Sequence, residues 1–157
     1  MNNNKEIRLH IVLDNIRSVF NVGSIFRTAD ATGCARIYIC GMTPTPENPK
    51  MHKTALGAIE TVPWEYYKTT LDAINELKER HIPIVSVELT DDAYHFQSYD
   101  YPHEVALVFG HERLGVNNLV LAQSDAKIMI PMLGIKESLN VANTASIIMF
   151  EALREEK

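Results

Sequence analysis

The sequence predicts an α/β fold, a mostly parallel sheet flanked by helices. Three observations carry this. Short apolar runs of strand length alternate with segments whose apolar residues recur at helical spacing. Residues 105–109, Val-Ala-Leu-Val-Phe, are apolar throughout, the pattern of a strand buried on both faces. Three of the strands are followed by polar, glycine-marked segments, where a parallel sheet places its ligands.

Residues 7–13 read as the first strand, ending at Asp14-Asn15. Val22, Ile25, Phe26 and Ala29 then fall at helical spacing, with Asn21 as the expected N-cap and Gly33 as the stop. Residues 35–40 are a second strand closed by Gly41. Residues 43–50 are a loop, because three prolines in six residues exclude a regular element. Residues 51–65 are ambiguous between a turn and a short helix, and residues 61–67 read as a short strand. Residues 69–80 form an amphipathic helix, with Leu71, Ile74 and Leu77 on one face. A strand over 82–89 follows. Ala93, Phe96 and Tyr99 are spaced like a short helix within residues 91–102. After the buried strand come a loop over 110–118, at most a short helix over 119–124, and a strand over 127–130. The final helix spans 140–154. No internal repeat or domain boundary is visible, so residues 1–157 are expected to form one domain, with 1–5 a flexible tail.

A chain of 157 residues, 46% hydrophobic and 22% charged, has the composition of an ordinary globular protein. No apolar run reaches the roughly 18 residues of a spanning helix, and no apolar signal region follows the N-terminus. No membrane partner is expected, and the expected location is the cytoplasm. Cys34 and Cys40 match no metal-ligand spacing and read as reduced core residues. The six histidines are scattered, so no metal is expected. The net charge of −5 argues against nonspecific coating of nucleic acid, not against a defined contact made by a local basic cluster.

Three stretches have the residue types to carry chemistry. Asn21 to Arg27 lies at a strand-to-helix junction, and Arg27 sits on a helix whose other spaced positions are apolar. It reads either as half of an ion pair between elements or as a phosphate or catalytic contact. Phe109-Gly110-His111-Glu112-Arg113-Leu114-Gly115 takes a buried strand into a charged loop between two glycines, which let backbone approach a ligand closely. Glu112 there can be a base, an orienting acceptor or a partner of Arg27, or the loop is simply solvated surface. Ile130 to Ala142 runs from a strand through Gly134 into the last helix, where Ser138 and Asn140 either cap that helix or serve a site. No dinucleotide fingerprint or phosphate-binding P-loop is present.

Taken in order, Asn21-x-Gly23-x-x-x-Arg27, Phe109-Gly110-x-Glu112-x-x-Gly115 and Ile130-Pro131-Met132…Ser138-Leu139-Asn140-Val141-Ala142 resemble the three motifs of the SpoU (TrmH-type) RNA ribose 2′-O-methyltransferases of the SPOUT superfamily. The resemblance runs from about Arg8 to Glu151, the extent of a bare catalytic domain. It implies a SPOUT-type α/β knot, in which the C-terminal segment is threaded as a trefoil. It also implies an S-adenosylmethionine pocket made by Leu89, Gly110, Ile130, Met132, Ser138 and Leu139. Asn21, Arg27, Glu112, Ser138 and Asn140 match the family's catalytic and RNA-facing positions. A homodimer and a structured RNA substrate, tRNA or rRNA, are the implied partners.

The implied reaction is attack of a ribose 2′-hydroxyl on a sulfonium methyl group. Arg27 is expected to clamp the neighbouring phosphate and stabilise the developing alkoxide, or to act as base, and Glu112 to orient rather than to take the proton. Lys50, His52 and Lys53 form a small basic cluster able to touch RNA, and Trp64, Tyr66 and Tyr67 are candidates for stacking on a base or packing on the sheet. The alternative is a non-catalytic RNA- or S-adenosylmethionine-binding module of the same fold. The presence together of Arg27, Glu112, Ser138 and Asn140 argues against it.

Overall fold

Among the described residues, seven strands build the sheet: β1 (Arg8–Asp14), β2 (Arg36–Cys40), β3 (Trp64–Tyr67), β4 (Ile84–Val87), β5 (Tyr94–His95), β6 (Glu104–Gly110) and β7 (Ala126–Met129). They lie in the order β3-β2-β1-β6-β4-β7-β5, and every pairing is parallel. This computed structural model describes residues 6–154, and the expected tail over 1–5 lies outside the described residues.

The alternation of side chains along a strand divides the core in two. On β1, Leu9, Ile11 and Leu13 enter a cluster with residues of α1 (Val19–Ala31), α2 (His52–Ala55) and α5 (Val141–Ala152). Val12 enters the cluster on the opposite face, with α3 (Thr70–Glu79) and α4 (Asn118–Gln123). On β6, Val105, Leu107 and Phe109 face the first cluster, Ala106 and Val108 the second. Burial on both faces explains why β6 is apolar at consecutive positions. The two central strands end in register, with Asp14 opposite Gly110, so the loops after β1 and β6 emerge side by side.

Several boundaries differ from expectation. The first long helix begins at Val19 and is capped by Ser18, whose hydroxyl accepts from Asn21 N–H, rather than by Asn21. That correction frees the Asn21 side chain. The helix over 69–80 is realised as α3, with Thr69 as its cap. Its buried stripe is Thr70, Ala73, Ile74 and Leu77, so Leu71 lies at the margin. Residues 91–102 contain no helix. Phe96 N–H instead donates to the Met129 carbonyl, which adds β5 to the sheet edge beside β7. The ambiguous stretch after the proline loop resolves into a 3-10 turn, α2 and a second 3-10 turn. The last helix starts after Asn140 as expected and ends at Ala152.

Both cysteines are buried and unbridged. Burial pushes the Cys34 thiol up to about 12, and that of Cys40 higher still, so neither is a nucleophile at neutral pH.

Candidate active site

The site is built where the loops after β1, β6 and β7 meet. Glu112, two residues past β6, accepts three hydrogen bonds. Its Oε2 takes Arg17 N–H at 3.0 Å, and its Oε1 takes Ser18 N–H at 3.1 Å and the Asn21 amide at 3.1 Å. A carboxylate over the free N–H groups that precede a helix also suits the positive end of its dipole. Burial raises the Glu112 carboxyl, but the Arg17 N–H, the Asn21 amide and the Ser18 N–H together outweigh it and hold the group below the ordinary carboxylate range. Glu112 is therefore ionised and accepts from three donors, all at the start of α1 and none from Arg27.

Asn21 passes the constraint on. With its amide nitrogen fixed by Glu112, its Oδ1 accepts from Asn140 Nδ2 at 3.1 Å. Asn140 in turn uses its Oδ1 to cap α5, accepting from Ala142 N–H at 2.9 Å and Asn143 N–H at 3.1 Å. Glu112, Asn21 and Asn140 thus form one directional relay that joins all three sequence motifs. The Asn140 side chain thus caps α5 and contacts Asn21 at once, so capping does not exclude the site reading. Ser138 stands outside this relay, exposed on the cavity rim.

On one side of the relay lies a cavity of about 640 Å³. Leu89, Gly110, Ile130, Met132, Ser138 and Leu139 all line it, together with Glu112. Its size and mixed apolar and polar wall suit a small organic ligand. Gly110 has no room for a side chain: a Cβ there would meet the backbone of Gly115 and Val116. Two carboxylates anchor the turn that brings those residues in. Glu88 Oε2 accepts Val116 N–H at 2.8 Å, and buried Asp14 accepts Asn117 N–H at 2.7 Å through Oδ2. Sequence reasoning passed over both, reading Asp14 as a strand end and Glu88 as part of a strand. The signal available was an acidic residue closing an apolar strand, a position that needs donors nearby.

On the other side lies an open groove of about 720 Å³ between α1 and α5, lined by Asn21, Arg27, Lys53 and Asn140 among others. Arg27 is exposed and takes part in no ion pair among the described residues. The ion-pair reading of Arg27 finds no partner among the described residues. Lys50 and His52 are exposed, but neither lines the groove. Of the aromatic candidates, Tyr67 is committed: its ring stacks on Tyr38 with centroids 5.7 Å apart, and its hydroxyl bonds Glu76. Trp64 packs against the core, and Tyr66 is half-exposed with its hydroxyl on the Gly41 carbonyl. Among the described residues, no group of three or more His, Cys, Asp or Glu is placed to hold a metal ion.

A parallel sheet with a cavity at the carboxyl ends of its strands makes this an α/β protein with its cavity where that class binds ligands. The chain belongs to the SpoU rRNA Methylase family, whose model matches residues 8–150. It is 35% identical over 147 residues to the tRNA (guanosine(18)-2'-O)-methyltransferase of Thermus thermophilus, covering 94% of this chain and 75% of that protein. The AdoMet-bound rRNA methyltransferase from Sinorhizobium meliloti superposes with a TM-score of 0.88 at 29% identity, covering 94% of this chain and 56% of that one. A structure describing the 2-OH methylation of C/U34 on tRNA gives a TM-score of 0.84 at 25% identity, covering 94% and 95% of the two chains.

Proposed function

We propose that the protein is an S-adenosylmethionine-dependent RNA methyltransferase that modifies a ribose 2′-hydroxyl of a structured RNA, tRNA or rRNA. The observation that carries this is the convergence of Leu89, Gly110, Ile130, Met132, Ser138 and Leu139 on one cavity beside the Glu112–Asn21–Asn140 relay. The S. meliloti relative has AdoMet bound, and the Thermus relative is a tRNA 2'-O-methyltransferase, which supports the cofactor and the substrate class. S-adenosylmethionine, when bound, supplies an electrophilic methyl group.

The chain's residues supply positioning and charge. The tight turn at Gly110 and Gly115 lets backbone form part of the cavity wall. Glu112 fixes the Asn21 amide, and Asn21 fixes Asn140, so both amides present defined faces to a ribose at the boundary of cavity and groove. Arg27 faces the groove, where it stabilises a phosphate or the developing alkoxide. Holding acceptor and donor in line is where an enzyme of this kind gains most, since alignment lowers a barrier by up to roughly 7–11 kcal/mol.

The reading extends to the assembly. A homodimer is supported by exposed Phe20, Ile147 and Phe150 on α1 and α5, large apolar side chains beside the site. Threading of residues 130–142 as a trefoil knot is supported by the close likeness to SpoU-type structures. No described helix is long and apolar enough to cross a membrane, and the RNA substrate class supports a cytoplasmic setting.

The test is transfer of a tritiated methyl group to unmodified tRNA and rRNA, with the labelled nucleotide mapped, alongside calorimetry with S-adenosylhomocysteine against ATP and NAD. The expected result is binding of S-adenosylhomocysteine alone and alkali-resistant label at one ribose. Binding without transfer to any RNA would establish the non-catalytic module instead.

A further inference from the structure

The cavity wall holds a carboxylate to which neither the relay nor the reaction assigns a part. Glu88 follows β4, and its side chain is half-buried on that wall. Two backbone N–H groups fix its position. Its Oε2 accepts Val116 N–H at 2.8 Å, and its Oε1 accepts Leu89 N–H at 3.2 Å. Gly115 leaves the space that the carboxylate fills, since a Cβ there would collide with Oε2. A carboxylate offers about four acceptor sites, so one remains on each oxygen. A half-buried acceptor held in place against a cavity suits a ligand that brings donors to it.

The strand order says which part of a ligand Glu88 meets. Strand β6 lies between β1 and β4, and the relay stands on the β1 side, at the start of α1 and α5. A methyl group to be transferred has to lie at that end. The nucleoside half of the same molecule is then left the loops after β4 and β7, where Leu89, Ile130 and Met132 give an apolar wall for a purine. Between purine and sulfur such a molecule carries a ribose with two adjacent hydroxyl donors. Of the other acids on the wall, Glu112 is committed to the start of α1, and Glu137 is exposed on the segment before α5.

We propose that Glu88 recognises the ribose of the cofactor itself, its carboxylate accepting from the 2′- and 3′-hydroxyls of the adenosine. This rests on the RNA methyltransferase reading above and deepens it. One side chain then has two duties. It braces the turn behind Gly110 through Val116 N–H, and it selects a ribonucleoside over ligands that lack the diol. A site built around a hydroxyl discriminates strongly against the analogue without it, because the buried acceptor is left unpaired.

The experiment is calorimetry on the full chain, wild type and Glu88→Gln, with S-adenosylhomocysteine, its 2′-deoxy and 3′-deoxy analogues, and 5′-methylthioadenosine, which lacks the amino-acid part. Glutamine is isosteric and its carbonyl oxygen still accepts Val116 N–H, and a melting curve on each protein reports the fold. The wild type should bind S-adenosylhomocysteine and lose roughly 10- to 100-fold in affinity when a hydroxyl is removed. In Glu88→Gln the affinity for S-adenosylhomocysteine should fall on the order of tenfold, and the deoxy penalty should shrink to about twofold. The penalty for methylthioadenosine should be the same in both proteins. An equal deoxy penalty in the two would overturn the assignment and leave the cofactor reading standing, because a carboxylate that only braces the turn weakens every ligand alike. A variant in which the methylthioadenosine penalty shrinks instead would put Glu88 on the cofactor's ammonium group and also overturn it. A wild type that binds the deoxy analogues as tightly as S-adenosylhomocysteine overturns it whatever the variant does. A wild type that binds none of these ligands removes the cofactor reading, and this one with it.

Discussion

Asn140 Nδ2 donates to Asn21 Oδ1 across 3.1 Å, joining residues 119 positions apart in sequence at the divide between cavity and groove. Each amide is already committed at its other end, Asn21 to Glu112 and Asn140 to the first turn of α5. The pair therefore has one orientation, and its donor and acceptor faces are set ahead of substrate binding.

Asn140→Asp separates the two duties of this residue. Aspartate caps a helix as well as asparagine does, so α5 keeps its bonds from Ala142 and Asn143 N–H. It has no N–H for Asn21 and sets two acceptors face to face. Unfolding free energy should stay near that of the wild type, while methyl transfer falls by at least tenfold. Asn140→Ala loses the cap as well, at about 0.5–2 kcal/mol. Denaturant melts and turnover measured on both variants check this, and equal stability losses in the two would disprove the separation.

Glu112→Gln probes the other end of the relay. The folded-state carboxyl is held below its ordinary value, so the folded protein binds the proton less readily than the unfolded chain. Its stabilising effect is fully present above the unfolded pKa of about 4.3 and is lost as pH falls through the folded value. Wild type should exceed Glu112→Gln in stability at pH 7, with the gap closing below pH 4. Urea unfolding at several pH values between 7 and 3 reads this out. A gap independent of pH would mean that lost geometry, not ionisation, is responsible.

The fold is legible in the sequence because its cues are local, and the residues that line the candidate cavity are legible through the three motifs. Strand β6 declares itself by being apolar at consecutive positions, and α3 by its amphipathic spacing. The three motifs each place a glycine or a small polar residue at a strand exit. What escapes a reading of the sequence depends on partners distant along the chain. Asn21 reads as a cap because asparagine favours that position, but Ser18 fills it and Asn21 turns toward Glu112, 91 residues on. The aromatic spacing of residues 91–102 imitates a helix, whereas a free edge beside β7 draws the segment into the sheet. Asp14 and Glu88 gain their roles only when the loop after β6 brings N–H groups to them. The loss of Tyr67 as a stacking platform follows from Tyr38 and Glu76, neither of which is visible from its own neighbourhood.

Gly115→Ala and Gly110→Ala should fail for different reasons. Gly115 has φ +69°, and a Cβ there meets the Glu88 carboxylate. Gly110 has an ordinary φ, but a Cβ there meets backbone that cannot swing aside. Each substitution should cost about 1–3 kcal/mol and weaken S-adenosylhomocysteine binding. Adding Glu88→Ala should relieve part of the Gly115→Ala defect and none of the Gly110→Ala defect, a double-mutant coupling measurable by calorimetry and melting. Equal rescue of both would show that the side-chain clash is not what distinguishes them.

Arg27 is the clearest test of how the chemistry is assisted. It is exposed, lies six residues after Asn21 on α1, and shares the groove with Lys53. A guanidinium keeps its proton at physiological pH, so its natural part is to stabilise negative charge with several fixed donors rather than to remove a proton. Arg27→Ala should lower kcat by about 10²–10³-fold if it meets the developing alkoxide, because a donor aimed at the transition state is worth roughly 2.7–4 kcal/mol. Arg27→Lys keeps the charge but not the planar fork, and should recover RNA affinity far more than kcat. Neither change should alter S-adenosylhomocysteine binding, since Arg27 does not line that cavity. Single-turnover methyl transfer at saturating RNA separates the two effects. Near-full turnover in Arg27→Lys would remove the residue from the transition state and leave it a role in binding alone.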